Sequence, residues 1–187
     1  MTPSPSVSPL DTSNWIVYTS KQYGFSLKHP PGWTVEPAAH NRGPQTENED
    51  PGGLDLFLTP AGDLYVSAWS MPAKDTPETL AGVAAWVQGY CGLAGYSCDG
   101  LDRAVPLCNE RRDCHPGLLV TFEPEQFVEA FFTGGEHKGQ IVGVVVGVPE
   151  GHENAATYGG ARRLLEGFLS TMDVCPARPD RTPSGCS

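Results

Sequence analysis

The chain has 187 residues and a net charge of −10, from 22 acidic against 12 basic side chains. That length suits one domain, in which a folded body of about 160 residues buries about two-thirds of its unfolded surface, enough for a true core. No stretch is rich in Lys or Arg, so the charge repels phosphate backbones and anionic lipid and excludes nucleic acid as the natural partner; no run of about 18 apolar residues exists to span a membrane.

The first thirteen residues, "MTPSPSVSPLDTS", lack the apolar segment of a signal peptide. Pro, Ser and Thr fill them, which predicts a stiff, unpacked tether over residues 1–13. Tethers of this kind follow the lipid-anchored cysteine of exported bacterial lipoproteins or join a domain to a membrane segment. The expectation is an extracytoplasmic domain whose membrane link runs only through that tether or through an anchor ahead of it.

Strand patterning begins at Trp15. "NWIVYTS" is apolar and β-branched, "KQYG" is a turn, and "FSLKH" alternates Phe25 and Leu27 inward against Ser26 and Lys28. "PPGW" breaks the strand, because Pro31 has no amide to donate and Gly32 tolerates the turn. "WTVE" resumes alternation with Trp33 and Val35 inward. Residues 37–53 form a polar loop carrying Glu47, Glu49 and Asp50. "LDLFLTP" and "LYVSAWSM", joined by "AGD", read as an antiparallel hairpin.

A helix follows. Asp75 and Glu78 make a capping box, with Pro77 at an early helical position. Leu80, Val83, Ala84, Val87 and Tyr90 share one apolar face, and Gly89 and Gly92 are predicted to end the helix. "RAVPLC", the turn "NERRD" and "GLLVTFE" form a hairpin, and "QFVEAFFTGGEHKGQIVGVVVGVPE" a second one. Its unbroken "IVGVVVGV" predicts a central strand covered on both faces. Gly143 and Gly147 fall on one face, predicting close packing of a helix there, with a shallow ligand groove as the sharper alternative. Ala161, Leu164, Leu165, Phe168, Leu169 and Met172 then trace one face of a closing helix, with Arg162, Arg163 and Glu166 on the wet side. The sum is an α+β domain over residues 14–174, an antiparallel sheet of about six to eight strands with two helices. The tail, residues 175–187, is irregular.

The six cysteines are Cys91, Cys98, Cys108, Cys114, Cys175 and Cys186. An even count in a small domain favours disulfides and an oxidising compartment, with fifteen pairings open. Local spacing favours Cys91–Cys98, Cys108–Cys114 and Cys175–Cys186. Zinc is the competing reading, but the spacings do not match paired C-x₂₋₄-C ligands, and only His115 lies beside a cysteine.

Little else points to chemistry. "GYSCD" superficially matches a nucleophile elbow, yet a helix precedes it and Asp99 stands where glycine is needed. His29, His40, His115, His137 and His152 are scattered, without paired spacing, and read as exposed loop histidines. "ENED" lacks the order of a calcium loop. No glycine motif sits between strand and helix to cradle phosphate. Trp33, Trp69 and Trp86 read as core or core-edge. No catalytic residue, cofactor or metal site is assigned.

The start of the domain (Tyr23, Gly24, Phe25, Pro30, Gly32 and Trp33 in "YGFSLKHPPGW") and its end (Leu165, Phe168, Ser170 and Thr171 in "LLEGFLSTM") resemble the PsbP-like family. The resemblance covers roughly residues 15–174. It implies an antiparallel sheet sandwiched by helices, α/β/α. Its members include a photosystem accessory protein, a Ran-binding import factor and many bacterial lipoproteins, and it implies no enzymatic activity. The six cysteines and the tail depart from the family pattern. The functional expectation is a monomeric, non-catalytic extracytoplasmic domain that binds a protein partner or helps assemble an envelope complex. The alternatives are a small-ligand or metal sensor using the 37–53 loop, and then a hydrolase.

Overall fold

A computed structural model describes residues 10–42, 50–72, 80–94, 97–99, 104–108, 114–123, 127–134, 140–149, 151–152 and 155–173. The strands are β1 (Ile16–Thr19), β2 (Ser26–His29), β3 (Thr34–Glu36), β4 (Asp55–Leu58), β5 (Tyr65–Pro72), β6 (Ser97–Asp99), β7 (Ala104–Cys108), β8 (Cys114–Glu123), β9 (Phe127–Gly134) and β10 (Gln140–Gly147). The helices are α1 (Leu80–Ala94) and α2 (Ala155–Thr171). Eight strands form one antiparallel sheet in the order β3-β4-β5-β10-β9-β8-β6, with β7 also paired to β8.

The β10 strand explains the layering. Its alternate residues Val142, Val144 and Val146 join one cluster with α2, while Ile141 and Val145 join another with α1. A period-2 strand buried on both faces needs apolar residues at every position, and Ile141 through Val148 are all buried. Burying both faces places one helix on each side of the sheet, so the architecture is the α/β/α sandwich expected. The predicted inward sets hold: Phe25 and Leu27 are buried, and so are Ala161, Leu164, Leu165, Phe168, Leu169 and Met172. Trp33 and Val35 are half-buried against the α2 cluster, with the Trp33 ring 5.8 Å from that of Phe168.

The first two strands stand apart as a two-stranded sheet. They lie over the α2 side rather than extending the main sheet, because β2 is held by the end of α2. Ser26 and Asp173 exchange both backbone hydrogen bonds, at 2.9 and 2.7 Å, and the Lys28 N–H donates to Thr171 Oγ1 at 3.0 Å. Gly24 and Gly32 take positive φ of 80° and 82° in the turns at either end of β2, which only glycine adopts without strain. Leu10 already packs against the α2 cluster, so chain ahead of β1 is docked from that residue.

Three expectations are corrected. α1 does not end at Gly89 and Gly92 but runs through both to Ala94. Glycine costs about 1 kcal/mol in a helix, and burial of Tyr90 and Cys91 outweighs it here. Gly143 and Gly147 do not receive a helix: a Cβ on either would run into the side chain of its cross-strand partner, Trp69 or Tyr65. His29, expected to be exposed, is 6% exposed with its ring against Phe57, because it shares the inward parity of Phe25 and Leu27. The capping residues Asp75, Pro77 and Glu78 lie outside the described residues.

Candidate functional site

Where the two-stranded sheet meets β4, a buried carboxylate gathers three segments. Asp55 opens β4 and is 0% exposed. Its Oδ1 accepts from the Tyr18 hydroxyl at 2.6 Å and from the Ala38 N–H at 2.9 Å. The Tyr18 ring stands edge-on to Phe57, centroids 5.2 Å apart. Burial, and then the Asp55 acceptor, pushes the Tyr18 phenol well above its ordinary pKa of 10.0. One side chain thereby ties β1 and the segment after β3 to the sheet.

A second tyrosine repeats the device at the β1–β2 turn. The Tyr23 hydroxyl donates to the Gly53 carbonyl and accepts the Arg42 N–H at 2.9 Å. Its ring stacks on Phe25, 6.0 Å between centroids. Burial again raises its pKa, against the opposing pull of the Arg42 amide. The Arg42 guanidinium lies 4.6 Å from the centre of the fully buried Trp69 ring, a cation–π contact. Trp86 lies 6.1 Å from Trp69 and stacks on Tyr90 at 5.5 Å. Nearer solvent, His40 Nε2 and Asp50 Oδ1 are 3.4 Å apart.

These groups hold loops. Asp55 is out of reach of a solvent-borne substrate, and Tyr18 and Tyr23 keep their protons in the neutral range. Two large apolar side chains of β1 stand in solvent: Ile16 is 49% and Val17 65% exposed. Among the described residues β1 pairs only with β2, which leaves its outer backbone edge open.

No protein-family model matches the chain, and no curated protein matches it in sequence. Solved structures do match in shape. The solution structure of cyanobacterial PsbP (CyanoP) from Synechocystis sp. PCC 6803 superposes with a TM-score of 0.53 at 14% identity, over 93% of this chain and 100% of that one. The fold is PsbP-like. A point mutant of the protein Mog1 gives a TM-score of 0.55 at 10% identity, over 86% of this chain and 96% of that chain. The Saccharomyces cerevisiae Ran-binding protein Mog1p gives 0.52 at 11%, over 86% and 95%.

Within this PsbP-like frame the cysteines divide. Cys91, near the end of α1, and Cys98, in β6, form a disulfide with Cα atoms 6.2 Å apart, as the spacing predicted. The bridge pins α1 to the sheet. Cys108 and Cys114 face each other across the β7–β8 ladder. Cys175 and Cys186 lie outside the described residues, as do Glu47, Glu49 and His137. His40 and His152 are exposed. Among the described residues no three of His, Cys, Asp and Glu come together as a metal could require.

The Tyr18–Asp55–Tyr23 arrangement was not anticipated from sequence. One signal was available: in "LDLFL", Asp55 shares the inward parity of Phe57, and a carboxylate at an inward position needs donors. Nothing local marks Arg42.

Proposed function

We propose that this chain is a non-catalytic, extracytoplasmic protein-docking domain of a lipoprotein or membrane-anchored protein, and that β1 is its docking edge. The observation that carries the reading is the uncharged strand "IVYT": its outer edge has no partner strand among the described residues, and its Ile16 and Val17 stand in water. Soluble proteins blunt such edges with charge or proline, because an open apolar strand recruits other chains. An edge of this kind takes an extended segment by backbone pairing, with side-chain contacts for specificity. A charge of −10 disfavours a second copy as the occupant and favours a basic partner segment.

The Cys91–Cys98 bridge supports the oxidising compartment. The Ran-binding Mog1p shows that this fold can serve protein recognition in another protein. The Pro/Ser-rich residues ahead of Leu10 would serve as the tether.

The test is capture from the solubilised envelope of the native host, wild type beside Ile16→Lys/Val17→Lys. A photo-crosslinker at position 17 marks direct contact. The expected result is a protein retained and crosslinked by the wild type and lost in the folded double variant. Equal recovery by both proteins would sink the reading.

A further inference from the structure

β7 and β8 pair without a bulge from Ala104↔Leu118 to Cys108↔Cys114, and in the middle of that ladder Pro106 stands opposite Pro116. Proline has no amide hydrogen. In an antiparallel ladder, facing pairs alternate between one that exchanges both N–H···O bonds and one that exchanges neither. Two facing prolines fit only the second class. Alternation then makes Leu107↔His115 a hydrogen-bonded pair and Cys108↔Cys114 a non-hydrogen-bonded one.

Two features of the sheet agree with that assignment. In this class the missing N–H of Pro116 falls on the β9 side, and the β8–β9 ladder begins one residue later, at Gly117. The missing N–H of Pro106 falls on the outer side of β7, which pairs only with β8 among the described residues. Neither proline therefore costs the β7–β8 ladder a bond, and Pro116 stands where the β8–β9 ladder stops.

Non-hydrogen-bonded pairs are the closer class, with Cα atoms about 4.5 Å apart, which lies inside the roughly 4.4–6.8 Å range that disulfides span. We propose that Cys108 and Cys114 form a cross-strand disulfide, a second bridge beside Cys91–Cys98. Two thiols lose two protons and two electrons to a donor disulfide, which becomes two thiols as one S–S bond forms. The bridge closes a covalent ring around residues 109–113, "NERRD", at the last rung of the hairpin. The prolines set the class of rung, and that class makes this pairing the one selected for Cys108.

The inference shares with the proposed function a need for oxidant, so the test supplies one. The full chain is oxidised in a glutathione redox buffer, alkylated without reduction and digested with trypsin. Cleavage at Arg103, Arg111, Arg112 and Lys138 puts Cys108 in residues 104–111 and Cys114 in residues 113–138. Cys91 and Cys98 share residues 75–103, Cys175 falls in 164–181 and Cys186 in 182–187. The expected result is 104–111 joined to 113–138 and separated by reductant, with 75–103 internally bridged. Alkylated Cys108 and Cys114, or either one joined to 164–181 or 182–187, overturns the proposal. A bridged 75–103 beside such a result would leave the oxidising-compartment reading standing, whereas alkylated Cys91 and Cys98 would count against it too.

Discussion

Trp69 stands directly across from Gly143 in the β5–β10 ladder, and its indole occupies the space a Cβ at that position would need, 2.6 Å from Cε2. Gly147 bears the same relation to Tyr65, at 2.6 Å from Cε1. The two sites differ in what can yield. Trp69 is fully buried between the sheet and α1, while Tyr65 is half-buried. Gly143→Ala is expected to cost about 1–3 kcal/mol by overpacking, and Gly147→Ala less, since Tyr65 is only half-buried where Trp69 is fully buried. Urea unfolding of the two variants ranks them, and the reverse order would refute this account of the glycines.

That relationship also marks the limit of what local pattern conveys. The spacing of Gly143 and Gly147 put both on one face, but only strand register says which aromatic crosses each. Register is a property of two distant segments. The inward sets of β2, β10 and α2 were legible because periodicity alone fixes them. The separation of β1 and β2 from the main sheet was not, since it depends on Ser26 and Lys28 reaching Asp173 and Thr171 more than 140 residues along the chain. The Cys91–Cys98 bridge was legible from spacing. The passage of α1 through Gly89 and Gly92 was not, because burial overrode propensity. In the candidate site, the parity of Asp55 was visible in "LDLFL", whereas its donors come from β1 and from the segment after β3.

Removing the Tyr18 hydroxyl tests that gathering directly. Tyr18→Phe leaves Asp55 Oδ1 with the Ala38 amide alone. The expected loss is about 1–3 kcal/mol, the usual effect of stripping a partner from a buried polar group. An unchanged unfolding midpoint would show that the contact contributes nothing to stability.

The same two tyrosines predict an alkaline limit. Their pKa values are raised on folding above the ordinary 10.0. The folded protein therefore holds protons that the unfolded chain releases, and the linked stability is complete below about pH 10 and falls as pH rises past it. Stability measured against pH should decline from that point, less steeply in Tyr18→Phe. Absorbance titration should show the Tyr18 and Tyr23 phenols ionising late in the folded state. Ionisation of all tyrosines together near pH 10, with folding intact, would contradict the prediction.

The Cys91–Cys98 bridge joins α1 to β6 across a sequence separation of 7. Closing so short a loop stabilises by about 2–3 kcal/mol in the chain-entropy treatment. Cys91→Ser/Cys98→Ser should lose about that much and also loosen α1, which amide exchange would report as faster exchange over residues 83–91 than over α2. Uniform acceleration of both helices would mean that the bridge acts only on global stability.

The helical glycines separate propensity from packing within one molecule. Gly89 and Gly92 are exposed, and a Cβ at either meets nothing within 4 Å. Alanine there gains the helix preference of about 1 kcal/mol per site, so Gly89→Ala and Gly92→Ala should each raise the unfolding midpoint. Gly167 in α2 is buried, and a Cβ there would stand 2.8 Å from Trp15 Cη2. Trp15 is itself buried and packed edge-on to Phe168, 5.3 Å between centroids, so it cannot retreat freely. The propensity gain at Gly167 is the same, and the clash, about 1–3 kcal/mol, opposes it. Gly167→Ala should therefore be neutral to destabilising while the α1 substitutions stabilise. A gain at Gly167 equal to that at Gly89 would mean that Trp15 is held less tightly against α2 than its burial indicates.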